Sequence, residues 1–184
     1  GIAGCTALLL TGLGLQNSIN DIIDVQYGEL VDYNVVISEK DGATESERAE
    51  AAALMDDKAV LPVSVRATEE SMIAQGADGT EAMTTIVAPD DSLAFEGLWT
   101  FRTRAGHETV PLTNDGAVIT EKLASKLGLA VGGALTFAEQ DDLGNATAKT
   151  FEVPVAGIIE NYIGDYAFMT PATFERVFGK EPTN

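Results

Sequence analysis

The chain begins with an apolar stretch and then carries only acidic charges for some distance. Residues 1–15 contain no charged side chain, and no Lys or Arg occurs before Lys40. A transmembrane helix needs about 20 apolar residues, and its cytoplasmic flank is usually rich in Lys and Arg. We therefore predict that residues 1–28 comprise the end of a transmembrane helix, which continues upstream and leaves the membrane on its outer side, and the stalk that follows it. A buried core helix is the alternative.

Beyond the apolar stretch, hydrophobic residues recur on one helical face while Asn and Asp occupy the others. The pattern predicts an amphipathic stalk helix. Its end is predicted near Tyr27-Gly28, because glycine readily adopts the left-handed conformation found at helix ends. The apolar stripe is the predicted site of mechanical coupling between the membrane and an external domain, and its four residues are Leu15, Ile19, Ile22 and Ile23.

Residues 29–112 show short alternating runs around one helical segment. The spacing predicts strands at 34–38, 61–67, 83–88 and 98–104. A capping box, Thr44-Glu45-Ser46-Glu47, predicts a helix that extends through Met55. A stretch rich in Gly and Asp between the second and third strands predicts that these two form a hairpin or meander.

The pattern in residues 113–184 contains clearer local signals. A turn is predicted at 114–116, followed by a strand at 117–119 and a short helix capped by Thr120 and ended by Gly128. Next comes a hairpin around the polar loop 139–149.

The last predicted element is a helix with a buried stripe. Thr170 is its expected cap, Pro171 takes its first position, and Gly179 ends it. Phe174, Val177 and Phe178 recur at i, i+3 and i+4, which predicts one core-facing side. We expect residues 29–184 to form one external domain of two lobes, 29–112 and 113–184, whose C-terminus is incomplete in this chain.

The charge of the chain disfavours two classes of partner. The chain has 29 acidic and 11 basic residues and a net charge of −18. Nucleic acids and anionic lipid headgroups both require a cationic face, so neither is an expected partner. A solvated acidic exterior is the simplest interpretation, and attraction of cationic peptides is the alternative.

The candidate chemical residues do not assemble into a recognisable catalytic or metal motif. His107 is the only histidine and Cys5 the only cysteine, so no His/Cys zinc set is available. Neither the Walker A motif nor the spacing of a calcium-binding loop occurs, although three adjacent acidic pairs do: Asp56-Asp57, Asp90-Asp91 and Asp141-Asp142. We predict no catalytic residue, no cofactor and no metal site. Paired carboxylates in a cleft, as in an anchored hydrolase, remain an open alternative.

Several segments together resemble the extracytoplasmic domain of FtsX-like or MacB-like ABC transporter permeases. They are Gly-Ala-Val-Ile-Thr-Glu-Lys-Leu-Ala-Ser-Lys-Leu-Gly-Leu-Ala-Val-Gly (116–132), Val-Ala-Gly-Ile-Ile-Glu-Asn-Tyr (155–162) and Phe-Met-Thr-Pro-Ala-Thr-Phe (168–174), together with the apolar run at 1–19. The resemblance implies an α+β fold of the MacB-like periplasmic core type. Such a fold would have mixed small sheets or hairpins with short helices, preceded by the amphipathic stalk helix.

The resemblance also implies a function. The domain would sit on the extracytoplasmic side of the cell membrane and couple ATP-driven helix movement to export of a peptide or lipophilic substrate, lipoprotein extraction or activation of a cell-wall hydrolase. It would itself be non-catalytic, with ATP hydrolysed by a separate cytoplasmic subunit. A second permease copy or paralogue is a further expected partner, as is an extracellular peptide, lipoprotein or hydrolase.

A different class of function stays open. Ile2-Ala3-Gly4-Cys5 is similar to a lipobox, although an apolar run and not a polar tether follows it. The alternative is therefore a membrane-anchored or lipidated module that binds an extracellular ligand.

Overall fold

The computed structural model describes residues 18–33, 36–37 and 42–182. The predicted transmembrane run and Leu15 lie outside the described residues. Among the helices that are described, none is both long and apolar enough to cross a membrane.

Helices and strands are mixed along the described chain. Residues 18–25 form helix α1, which continues as a π-helical turn, Gln26–Leu30. The other helices are α2 (Glu45–Asp56), α3 (Ser92–Glu96), α4 (Glu121–Leu127) and α5 (Pro171–Phe178). The strands are β1 (Ala67–Gln75), β2 (Glu81–Pro89), β3 (Ala117–Thr120), β4 (Ala134–Gln140), β5 (Ala146–Ile159) and β6 (Tyr166–Phe168). This mixture confirms the predicted α+β class.

The six strands close a barrel in the order β1-β2-β6-β3-β5-β4. Hairpins β1–β2 and β4–β5 are antiparallel, whereas β2–β6 and β3–β5 are parallel. Closure gives every strand a hydrogen-bonded neighbour on both sides, so the sheet has no free edge strand. Strands from both predicted lobes share this barrel, and the division into lobes at residue 112 stays a prediction.

Two apolar clusters lie on opposite sides of the barrel wall. Alternation along β2 shows the division, because Ile86 faces the interior cluster and Val87 the outer one. The interior is filled by large buried side chains from the strands, α4 and α5, among them Leu123, Leu135, Phe137, Phe174 and Phe178.

The outer cluster covers β2, β6 and β3 with aromatic rings from the segment before β3. The ring centroid of Phe168 on β6 lies 5.0 Å from that of Trp99, 4.8 Å from that of Phe101 and 5.9 Å from that of Phe95. Leu30, at the end of the π-helical turn, is fully buried in the same cluster. The barrel wall therefore provides a docking face for the N-terminal helix.

Most predicted helix boundaries are confirmed. Thr44 and Glu47 form both hydrogen bonds of the capping box of α2. Gly128 ends α4 in the left-handed conformation, with φ 63°, and Gly179 ends α5 with φ 68°. The Thr170 hydroxyl accepts the N–H of Thr173 at the start of α5, as a capping residue should.

Other predictions were wrong. The N-terminal helix does not stop at Tyr27-Gly28 but continues as a π-helical turn to Leu30. The extra turn buries Leu30 completely, and this apolar burial stabilises it. Residues 61–66 are not a strand, and β1 begins at Ala67. Residues 98–104 contribute only isolated bridges, at Trp99 and Arg102. The predicted strand at 34–38 lies mostly outside the described residues, and the two that are described, 36–37, are not in a strand.

Candidate functional site

A buried glutamine fixes the end of the N-terminal helix to the barrel. Gln26 is only 2% exposed. Its Nε2 donates to Oδ1 of Asn161 at 2.8 Å, and its Oε1 accepts the backbone N–H of Tyr162 at 2.9 Å. Withdrawing Gln26 would leave these buried groups unpaired, which costs about 1–3 kcal/mol for each group. The Gln26 amide therefore binds the end of the N-terminal helix to the residues that follow β5.

Backbone hydrogen bonds reinforce this contact. The N–H of Thr100 donates to the carbonyl of Leu30 at 2.7 Å. The N–H of Asp32 donates to the carbonyl of Leu98 at 2.9 Å. The residue between Leu30 and Asp32 forms an antiparallel bridge with Trp99. The chain leaving the helix is thus held as a short ladder against the loop that covers the outer barrel wall.

Apolar burial contributes a third kind of contact. Leu30 is fully buried and Val31 is 6% exposed, both in the aromatic cluster around Trp99 and Phe168. Burying an aliphatic side chain of this size stabilises by about 1.5–3 kcal/mol. The helix end is therefore part of the folded core rather than a tether beside it.

An ionic network completes the junction. Arg102 Nε donates to Oε2 of Glu160 at 2.8 Å, and its Nη2 donates to Oε2 of Glu29 at 2.7 Å. The hydroxyl of Tyr162 donates to Oε1 of Glu160 at 2.6 Å. Arg104 lies over the Tyr162 ring, 4.6 Å from its centroid. Since Glu29 belongs to the π-helical turn and Glu160 follows β5, Arg102 joins helix and barrel.

The surroundings of Glu160 keep its carboxyl group ionised. Burial acts to raise the pKa of Glu160, but hydrogen bonds from Tyr162 and Arg102 outweigh it and hold the pKa below its usual value. The same Glu160 hydrogen bond raises the pKa of the Tyr162 phenol. The network is a set of fixed, opposite charges, which is suited to holding position.

Comparison with known families identifies the domain. The model of the MacB-like periplasmic core domain family matches residues 1–183. The chain belongs to this family. A comparison with curated proteins found no match. Membership makes the chain an extracytoplasmic domain of an ABC-type transporter permease, a membrane protein that works with a cytoplasmic ATP-binding subunit.

In this MacB-like domain the predicted coupling residues lie away from the barrel contact. Leu15 is outside the described residues. Ile19, Ile22 and Ile23 are 48%, 39% and 46% exposed on α1. Their coupling role stays a prediction, and the hydrogen-bonded contact with the barrel begins at Gln26, three residues after Ile23.

Sequence reasoning missed the residues that form the junction itself. Gln26 and Arg102 carried no recognisable motif, because their partners are distant in sequence. One signal was available, since Glu160, Asn161 and Tyr162 end a segment that carried the family resemblance. The identity of their helix partner is visible only in three dimensions.

One member of each acidic pair serves local backbone structure. One carboxylate of each pair accepts a nearby backbone N–H, and these carboxylates belong to Asp57, Asp91 and Asp141. No group of three or more metal-ligating side chains occurs within the described ranges. His107 is exposed and directly follows the turn at 104–106, with a left-handed φ of 54°.

Proposed function

We propose that this MacB-like domain converts ATP-driven movement of a transmembrane helix into work outside the membrane. The work would be export of a peptide or lipophilic substrate, extraction of a lipoprotein or activation of a cell-wall hydrolase. The observation that carries the proposal is the junction at Gln26–Leu30, where the N-terminal helix is anchored in the barrel wall by buried hydrogen bonds, apolar burial and ion pairs.

The junction supports transmission of helix movement to the barrel, because one displacement would disrupt all of its contacts at once. A displacement of the helix relative to the barrel would break the Gln26 hydrogen bonds, expose Leu30 and separate Arg102 from Glu29. These losses sum to several kcal/mol. A closed barrel resists local deformation, since all its strands are hydrogen-bonded on both sides. Moving the barrel as one body with the helix is the less costly response.

We further propose that the domain is non-catalytic and that ATP is hydrolysed by the separate cytoplasmic subunit. The carboxylate of Glu160, the most buried acid of the junction, is bound by Arg102 and Tyr162 and has a lowered pKa. An acid held in this way is a poor proton donor near neutral pH. Its surroundings favour a structural role.

The test is made on the intact permease with its ATP-binding subunit. Asn20 on α1 and Leu143 at the tip of the β4–β5 hairpin are each replaced by a spin-labelled cysteine. Leu143 is 86% exposed. The variant Cys5→Ser removes the native cysteine of the chain. We expect the distance between these labels to be the same with and without trapped ATP. A second pair, from Leu143 to the ATP-binding subunit, should change and thereby report the movement.

The variant Gln26→Leu keeps the side-chain size but removes both buried hydrogen bonds. We expect it to broaden the Asn20–Leu143 distance distribution while ATP hydrolysis continues. The matched control is Gln75→Leu, which removes only a surface hydrogen bond to Glu81 on the β1–β2 hairpin. A wild-type Asn20–Leu143 distance that changes with ATP would contradict rigid transmission.

A further inference from the structure

Aromatic side chains from separate parts of the chain converge beside the junction. Trp99 packs against Tyr166 of β6 with ring centroids 5.1 Å apart, and against Tyr33, which follows the N-terminal helix, at 6.4 Å. Tyr27 lies in the π-helical turn, whose last residue, Leu30, packs in the same apolar cluster as Trp99. These side chains form the aromatic patch, defined as Tyr27, Tyr33, Trp99 and Tyr166.

The patch is open to solvent at its tyrosines. Tyr27 is 59% exposed and Tyr33 is 40% exposed, while Tyr166 is half-buried and Trp99 is buried beneath. The faces of aromatic rings carry negative electrostatic potential and attract cations placed within about 6 Å of the ring centroid. Exposed tyrosines around a buried tryptophan thus provide several such faces in one place.

A carboxylate lies at the edge of the patch. Glu69 of β1 is the cross-strand partner of Val87 on β2, and Val87 is the partner of Phe168 on β6, so all three lie on the outer barrel face. Tyr166 lies two residues before Phe168 on the same strand and therefore shares that face with Glu69. Burial and then the charge of Glu69 raise the pKa of Tyr33. The pKa of Tyr166 is raised first by burial, then by Tyr33 and then by Glu69. Among the residues that the structure describes, no Lys or Arg forms an ion pair with Glu69.

Charge complementarity selects the ligand. An anion would be repelled by Glu69 and by the net charge of −18. A neutral apolar ligand would gain nothing from the carboxylate. A cation gains from the ring faces, from Glu69 and from the overall field.

We propose that the aromatic patch and Glu69 bind an organic cation, an alkylammonium or guanidinium group. The group is carried by a small molecule or by a peptide side chain, since both present the same chemistry to the rings. The site is independent of the coupling role, because it requires only the folded outer wall and the residues that follow α1.

Trp99 provides the readout, because it is the only tryptophan of the chain. The 184-residue chain in a non-ionic detergent is titrated with three probes while Trp99 fluorescence is recorded. Choline represents a small quaternary ammonium compound, acetyl-Gly-Gly-Arg-Gly-Gly-amide represents a peptide side chain, and 3,3-dimethyl-1-butanol is the uncharged isostere of choline. We expect saturable binding of at least one cation and about fivefold weaker binding of the isostere.

Binding by choline alone identifies a small-molecule site, and binding by the peptide alone identifies a peptide site; each supports the proposal.

Glu69→Gln and Tyr33→Leu should each weaken cation binding by about two- to fivefold. The matched control Glu152→Gln removes an exposed carboxylate from β5 and should bind as the wild type does. Circular dichroism confirms that the variants are folded.

Three results would overturn the proposal. The first is no saturable fluorescence change with either cation, and the second is equal binding of choline and its uncharged isostere. The third is unchanged cation binding by both folded variants, Glu69→Gln and Tyr33→Leu.

Discussion

The charge of a single residue, Glu160, makes the junction sensitive to pH. Its carboxylate accepts hydrogen bonds from Arg102 and Tyr162, which hold its pKa below the ordinary 4.5 despite burial. When folding lowers the pKa of a carboxyl group, the group contributes its full stabilisation at pH values above its unfolded-state pKa. That contribution is lost as the pH falls below 4.5 through the lower folded-state value.

We therefore expect Glu160→Gln to lower the free energy of unfolding by about 2 kcal/mol at pH 7, where the charged hydrogen bonds of the wild type are intact. The difference between the two proteins should shrink as the pH falls below 4.5, because the wild type then loses the same charge. Urea unfolding at a series of pH values measures both. Glu152→Gln, at an exposed position, is the control, and a difference that is independent of pH would contradict the role of the charge.

The residues of the junction could be predicted only in part from the sequence. A polar residue such as Gln26 on an amphipathic helix is ordinarily solvated, and nothing local indicates that its amide is buried. Its partners, Asn161 and Tyr162, are 135 and 136 positions away. The need to satisfy a buried amide is a tertiary constraint, so it becomes visible only when the barrel places β5 beside the helix.

At the scale of elements, the end of the N-terminal helix offers a test between two conformations of Gly28. A left-handed helix stop there would penalise any side chain. In the structure, Gly28 lies inside the π-helical turn without a positive φ, and a Cβ atom added to it would meet no atom within 4 Å. Gly28→Ala should therefore raise the free energy of unfolding by about 0.5–1 kcal/mol, because alanine restricts the unfolded chain more than glycine does.

The matched comparison is Gly128→Ala, at a true left-handed stop with φ 63°. That change should lower the free energy of unfolding by about 1–2 kcal/mol. Chemical denaturation of both variants gives the two signs directly. Destabilisation by Gly28→Ala equal to that by Gly128→Ala would show that the helix ends at Gly28 after all.

Elements with strong local signals were predicted well, whereas tertiary packing decided the others. Thr170, Pro171 and Gly179 define α5 through capping and backbone conformation alone. In contrast, β1 was predicted too early, because 61–65 is the more apolar run. The actual strand carries polar residues such as Glu69 on its outer face, and its pairing with β2 and β4 outweighs that polarity.

At the scale of the whole molecule, the barrel depends on pairings that no local pattern reveals. The parallel contacts of β2 with β6 and of β3 with β5 join strands that are separated by other elements. Hairpins can be predicted from turns, as β4–β5 was, but parallel pairing leaves no turn to recognise. The family resemblance supplied the class of fold, and the closed strand order came from the structure.

The last prediction concerns the exposed stripe of α1 in the intact transporter. Ile19 and Ile22 are 48% and 39% exposed, which leaves apolar surface on a helix whose next turns are fixed to the barrel. We expect the double variant Ile19→Asp, Ile22→Asp to uncouple export from ATP hydrolysis, since two carboxylates would oppose packing of this stripe against an apolar partner. Two quantities are measured: the ATPase rate of the transporter and a cellular phenotype that depends on transport. Transport dependence is established by replacing the Walker A lysine of the ATP-binding subunit, which should abolish the phenotype.

The control variant Asn20→Asp adds a carboxylate to the same helix outside the stripe and should leave both readouts unchanged, whereas the single variant Ile22→Asp should already weaken the phenotype. Because the junction begins at Gln26, neither change should unfold the domain. A double variant that hydrolyses ATP and retains the full phenotype would remove the stripe from the coupling path. Transmission would then rest on the anchored turn at Gln26–Leu30 alone, where the hydrogen bonds, the buried leucine and the Arg102 ion pairs are already in place.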